Sequence, residues 1–203
     1  MRTRIDGLLL AGGRSRRFGS DKRRAVFGTR TMAAGALALL RGAVDGDVFV
    51  AGRGAFERPV DVVFIEDAAR GRGPLGGLVS ALGRSRFGVL VIPCDAPLLR
   101  GDTLAAVARL GRRHGRTVVV RSRRGLEPLV AFYPRTARTV LAAGLSEGTL
   151  ALHRLLGRLA PLEVQAFDDR ELHNVNTARD FEAALAFVRT GSTARDAQGR
   201  RST

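Results

Sequence analysis

"IDGLLLAGGRSRRFGSDK", residues 5–22, is the stretch whose reading decides the fold. Its first seven residues are an almost unbroken apolar run, the pattern of a short strand buried on both faces. The run stops at Gly12 and Gly13, passes through Arg14, Arg16 and Arg17, and reaches Lys22. Lys22 is the only lysine in the chain, and the other 33 of the 34 basic residues are arginine. Two consecutive glycines let a backbone approach a ligand closely, and amides left free by such a turn cradle phosphate oxygens. Within this stretch there is neither a G-x-G-x-x-G fingerprint nor a Walker loop. On the glycines alone a tight turn without a ligand is as good a reading as a phosphate loop, and the arginines with Lys22 favour phosphate.

Outward from this stretch the chain alternates. Strand-like runs lie at 5–11, 47–51, 60–65, 87–93, 117–121, 128–133 and 162–167. Helix-like stretches lie near 32–42, 75–84, 102–114, 136–144, 148–157 and 178–189. That rhythm predicts an α/β fold of three layers, α/β/α, around a mostly parallel sheet covered on both faces. One domain over 1–189 is expected. The remainder, "TGSTARDAQGRRST" (190–203), is small, polar and aperiodic and is read as a disordered tail.

A formal charge of +15 invites a nucleic-acid-binding reading. The arginines are spread along the whole chain and aromatics are 5% of residues, without an RNA-binding aromatic motif or zinc-finger spacing, which argues against it. A general preference for arginine over lysine is the simpler source, and anionic small molecules remain natural partners. No apolar stretch approaches the roughly 20 residues of a membrane span, and no signal peptide is read at the start, so a cytoplasmic location is expected. A single cysteine, Cys94, excludes an internal disulfide and is read as a small buried residue. His114, His153 and His173 have no spacing that suggests a metal site and read as surface or packing residues.

In open parallel sheets ligands gather at the carboxyl ends of strands. "VIPCDAPLL" (91–99) places Asp95 where the fourth apolar strand leaves the core, facing the same crevice as the glycine turn. A carboxylate there suits Mg²⁺, a hard cation usually held by one or two carboxylates and substrate phosphates. A turn or cap aspartate before Pro97 is the competing reading.

"LAGGRSRRFGSDK" (10–22), "GPLGGLVSAL" (73–82), "PCDAPLL" (93–99), "EPLVAFYP" (127–134) and "NVNTARDFE" (174–182) together resemble the molybdenum cofactor guanylyltransferase family, the MobA proteins. The likeness runs from residue 5 to about 188. The first motif alone belongs to nucleotidyltransferases at large, whereas the second glycine of "LAGG", the "PCD" triplet and "NVNT" favour guanine over cytosine. The resemblance implies a Rossmann-like sheet of the nucleotidyltransferase type and transfer of GMP from GTP to molybdopterin with Mg²⁺ and release of pyrophosphate. It implies that Leu10, Ala11, Gly12, Gly13 and Asp67 line the nucleotide. Arg17 and Lys22 would hold the triphosphate, Asp95 the Mg²⁺, and Asn174 and Asn176 would face the pterin. Chaperones or cofactor-insertion proteins are the expected protein partners, with no membrane.

Departures from the family pattern bear on selectivity. Val50 and Gly52 stand where asparagines are common, so a polar contact to the nucleotide would be missing. Phe18 replaces a methionine, and the loop from Gly19 to Lys22 is a residue short. Glu127 stands where a glutamine or histidine is frequent, a carboxylate unfavourable beside an anionic pterin unless Arg123 or Arg124 pairs it. Arg121, Arg123 and Arg124 would either recruit the pterin or form a solvated loop. A related transferase with another base or acceptor, and a non-catalytic nucleotide- or nucleic-acid-binding protein, are the alternatives to the guanylyltransferase.

Overall fold

Leu8, Leu9 and Leu10 are consecutive in sequence and point alternately to opposite sides of one sheet. Leu9 packs with Leu40, Ile92 and Phe132, and Leu8 and Leu10 pack with Leu78, Leu82 and Tyr133. Alternate burial in an unbroken apolar run means that both faces are covered. Each fully buried leucine of this kind contributes about 1.5–3 kcal/mol of transfer free energy. The computed structural model describes residues 4–12, 21–52, 61–66 and 73–199, with side chains as far as Arg189.

The main sheet has seven strands: β1 (Asp6–Leu10), β4 (Val48–Ala51), β5 (Val63–Ile65), β6 (Gly88–Pro93), β7 (Val118–Ser122), β8 (Gly125–Pro134) and β9 (Leu162–Gln165). A small hairpin, β2 (Val26–Phe27) with β3 (Arg30–Thr31), stands apart from it. The order across the sheet is β5-β4-β1-β6-β8-β7-β9. All neighbours are parallel except β8, which runs antiparallel to both β6 and β7. Helices α1 (Met32–Ala43) and α3 (Gly101–His114) cover one face, and α2 (Pro74–Arg84), α4 (Ala137–Ser146) and α5 (Leu152–Leu159) the other. This is the α/β/α sandwich expected.

The chain builds outward from β1 through β4 to β5, then returns to β1's other side with β6. A crevice forms where such a sheet reverses direction, at the carboxyl ends of β1 and β6. Those ends are Ala11–Gly12 and Cys94–Asp95, tied by the Cys94 N–H donating to the Leu10 carbonyl at 3.1 Å.

The last helix, α6 (Ala178–Gly199), continues past the predicted domain end at 189. Its backbone is helical over 190–199 of the stretch read as a tail. Its start explains "NVNT": the Thr177 hydroxyl accepts from the Asp180 N–H at 3.1 Å, and the Asp180 carboxylate accepts from the Thr177 N–H at 2.8 Å and the Asn176 N–H at 3.0 Å. This reciprocal capping box satisfies N–H groups at the helix start and fixes the chain entering the helix.

Candidate active site

Lys22 begins a single 3₁₀ turn, Lys22–Arg24, capped by Asp21. Its ammonium donates to Asp95 Oδ2 at 2.7 Å, to Asn176 Oδ1 at 2.9 Å and to the Val175 carbonyl at 3.1 Å. An ammonium carries three hydrogens, so all are used. The residue is 8% exposed. Three acceptors from two distant segments converge on one atom, a tripod that a planar guanidinium fork does not match. Here is a physical reason for lysine in a chain that otherwise writes arginine.

The segments that meet are held independently of Lys22. The Val175 N–H donates to the Asp95 carbonyl at 2.7 Å, and buried Val175 packs with Met32 and Ala184, against Leu98 and Phe181. Phe27 of the small hairpin meets Phe181 edge to face, with centroids 5.9 Å apart. Glu171 adds a tie that the sequence reading missed. Its carboxylate is 2% exposed and accepts from Thr103 Oγ1, the Arg100 N–H and the Phe167 N–H. It serves as a cap for α3 from 71 residues away, where the helix dipole favours negative charge.

At the end of β1, Gly12 is exposed at the crevice while Leu10 and Ala11 are buried, leaving backbone groups as what they offer. Arg23 Nη1 donates to the Ala11 carbonyl at 3.1 Å, and the same guanidinium grips Asp21 with two bonds of 2.7 and 2.6 Å. The hydrogen bond from Arg23 holds the Asp21 carboxyl below its usual range. Gly52 lies against this turn at φ +144, and a Cβ there would stand 2.5 Å from the Ala11 carbonyl carbon. No side chain fits that position. Val50 is wholly buried in the core. The end of β4 therefore brings no polar group from either position.

Of the expected site residues, the structure brings Lys22, Asp95 and Asn176 together. Asn174 is exposed two residues away. Gly13, Arg17 and Asp67 lie outside the described residues, as do Phe18 and Gly19. The Lys22 ammonium donates here to three protein acceptors. Cys94 is buried, and burial with the neighbouring Asp95 pushes its thiol up to about 12, so it is protonated near neutral pH. Among the described residues no three His, Cys, Asp or Glu side chains form a metal-binding group. No helix among them is long and apolar enough to cross a membrane.

Beside this junction a cavity of about 510 Å³ opens between α6 and the β7–β8 hairpin, within the ~300–1,000 Å³ of small-molecule sites. The hairpin turns on Arg123 and Arg124 alone, since Ser122 pairs with Gly125. Arg121 pairs with Glu163 and Arg123 Nε with Asp169 at 3.1 Å. Arg123 and Arg124 are both exposed, Arg123 with 92% of its side chain in solvent, and they edge the cavity from a solvated turn. Glu127 takes a hydrogen bond from Ser122 Oγ at 3.0 Å. Among the described residues neither Arg123, which turns to Asp169, nor Arg124 pairs with it.

A glycine turn and a lysine-anchored carboxylate facing one crevice at the reversal of an α/β sheet define a nucleotidyltransferase. The MobA-like NTP transferase domain matches residues 7–163, and the chain belongs to that family. A probable molybdenum cofactor guanylyltransferase of Bacillus licheniformis is 31% identical, over 89% of this chain and 96% of its own. A molybdenum cofactor guanylyltransferase of Burkholderia vietnamiensis is 31% identical, over 90% of this chain and 95% of its own. The crystal structure of molybdopterin-guanine dinucleotide biosynthesis protein A from Archaeoglobus fulgidus superposes with a TM-score of 0.76 at 20% identity, covering 92% of this chain and 100% of that one. That likeness is one of fold.

Proposed function

We propose that this chain transfers GMP from GTP to molybdopterin, releasing pyrophosphate and forming the guanine dinucleotide form of the molybdenum cofactor. The observation that carries the reading is the junction at Lys22, where the lysine of the first motif, the aspartate of "PCD" and the second asparagine of "NVNT" share one ammonium. The acceptor and base are those in the names of the relatives above.

The terminal phosphate of molybdopterin is already an anion and needs no base to attack. It forms a new P–O bond at the α-phosphorus of GTP while the bond to the β-phosphate oxygen breaks and pyrophosphate leaves. The protein's task is alignment and charge compensation. The backbone of Leu10, Ala11, Gly12 and Gly13 would line the nucleotide and Asp67 would contact it, with Arg17 and Lys22 as the cations for the triphosphate. Lys22 fixes one oxygen of Asp95 and the amide of Asn176, so that the nucleotide side and the pterin side keep a set separation.

Asp95 fits Mg²⁺. One carboxylate oxygen is held by Lys22, and the other has no partner among the described residues. A single carboxylate completed by phosphates and waters is a usual Mg²⁺ environment. Bound there, the ion would neutralise charge on the phosphates. Asn174, exposed beside the junction, is left for the pterin. Residues 1–189 form the active unit, acting in the cytoplasm, with cofactor chaperones or insertion proteins as partners downstream.

Incubation of the protein with GTP, Mg²⁺ and molybdopterin should release pyrophosphate and yield the guanine dinucleotide, with CTP far less effective. Equal yields with CTP would assign the chain to another base.

A further inference from the structure

We propose that Glu127 is a specificity-determining residue for the acceptor, taking the amino group and adjacent ring N–H of the pterin in the cavity between the β7–β8 hairpin and α6. The inference rests on the molybdopterin reading above and names the residue that would recognise the ring.

The hairpin is built to aim this side chain. Val119 pairs with Ala131, but Val120 pairs with Glu127, where an uninterrupted register would give Val130. An offset of three residues is odd, so the pleat is inverted beyond it and Glu127 faces opposite to where continued alternation would put it. Pro128, which lacks an N–H, falls inside the bulge and loses no ladder bond there. Tyr133 Oη donates to the Pro128 carbonyl at 2.8 Å and pins it.

Glu127 then lines the cavity half-buried, with one oxygen held by Ser122 and the other without a partner among the described residues. A carboxylate presents two acceptors side by side. The pterin's amino group and neighbouring ring N–H present two donors at matching spacing, so the pairing is a charge-assisted fork of the kind guanidinium makes with carboxylate. The rest of the lining suits the same ligand. Leu98, Leu172 and Phe187 supply apolar surface for a fused ring, and Arg170 lies over the Phe187 ring at 4.3 Å. Arg124 supplies positive charge for an anionic arm.

Guanine carries the same pair of donors, and position separates the two. Leu98 and Ala184 belong both to this cavity and to the cluster that seats Val175 beside Asp95. Gly12 and Gly52, on the nucleotide side, are not part of it. The cavity therefore lies on the acceptor side of Asp95.

The test measures binding of carboxypterin to the full chain without GTP, by quenching of pterin fluorescence. The matching lumazine, in which an oxo group replaces the amino group, and guanosine are the competitors. The wild type should prefer carboxypterin over the lumazine by roughly tenfold to a hundredfold, as expected for losing a hydrogen bond to a charged group. Glu127→Ala should lose that preference while its GTP-induced rise in Tm stays as in the wild type. Glu127→Gln, which keeps the shape, should retain a reduced preference. Equal binding of pterin and lumazine by the wild type would overturn the proposal, and so would guanosine displacing carboxypterin as well as carboxypterin itself does. Failure of the guanylyltransferase reading would appear separately, as no dinucleotide from GTP, and would leave these affinities unchanged.

Discussion

Lys22 Nζ and Asp95 Oδ2 lie 2.7 Å apart across 73 residues of chain, and the ammonium's other two hydrogens reach the Asn176 segment. One buried charge therefore joins the first loop, the end of the central strand and the entry to α6. Removing it leaves Asp95 and the Asn176 amide without their donor. Lys22→Met should cost stability near the lower end of the ~3–5 kcal/mol seen on breaking buried ion pairs, because Asp95 keeps a fifth of its side-chain surface in water. Urea unfolding measures this, and a midpoint equal to wild type would remove Lys22 from the structural account.

Lys22→Arg keeps the charge and loses the tripod. A guanidinium should hold Asp95 but displace Val175 and Asn176, lowering turnover about tenfold to a hundredfold with a smaller change in the KM for GTP. Steady-state kinetics with GTP varied at saturating acceptor would show the split. Unchanged turnover would mean that charge alone matters at this position.

Asp180 links the cap of α6 to acid stability. Hydrogen bonds, first from the Asn176 N–H, hold its carboxyl below the usual 3.8. A group depressed in the folded state stabilises fully above its unfolded value and loses that contribution as pH falls through the folded value. The cap should therefore hold at neutral pH and fail in acid below 3.8. Asp180→Ala should cost about 1 kcal/mol at neutral pH, and the difference from wild type should shrink in acid. A difference independent of pH, measured by denaturant titration, would contradict this.

Glu171 makes a prediction at the other end of the same loop. Its two oxygens are fully used by neutral donors, so Glu171→Gln would set an amide NH₂ against one of them. A loss of about 1–3 kcal/mol is expected, the cost of burying an unsatisfied polar group. Wild-type stability in this variant would show that the carboxylate is not what ties the loop to α3.

Much of this was legible in the sequence, and the parts that were not share a cause. The seven strands of the main sheet and the six helices announce themselves by local periodicity, and Lys22, Asp95 and Asn176 by motif. The β2–β3 hairpin is two residues a strand, too short for any period to register. That β8 runs antiparallel, and that its register jumps at Pro128, depend on pairing with β7 and β6, which apolar alternation does not encode. Glu171 finds Thr103 and Arg100 from 68 and 71 residues away, so nothing beside it in the chain marks it. The committed donors of Lys22 escaped for the same reason: the motif names the residue, and only the fold names its partners.

The most direct measurement is molybdopterin-dependent pyrophosphate release from GTP by the wild type, Lys22→Ala, Asp95→Asn and the double variant. If Lys22 acts by holding Asp95 in place, each single change should lower the rate by roughly two orders of magnitude, and the double variant should be no slower than the slower single one. Effects that multiply in the double variant would show that the two residues act independently, and would contradict the account.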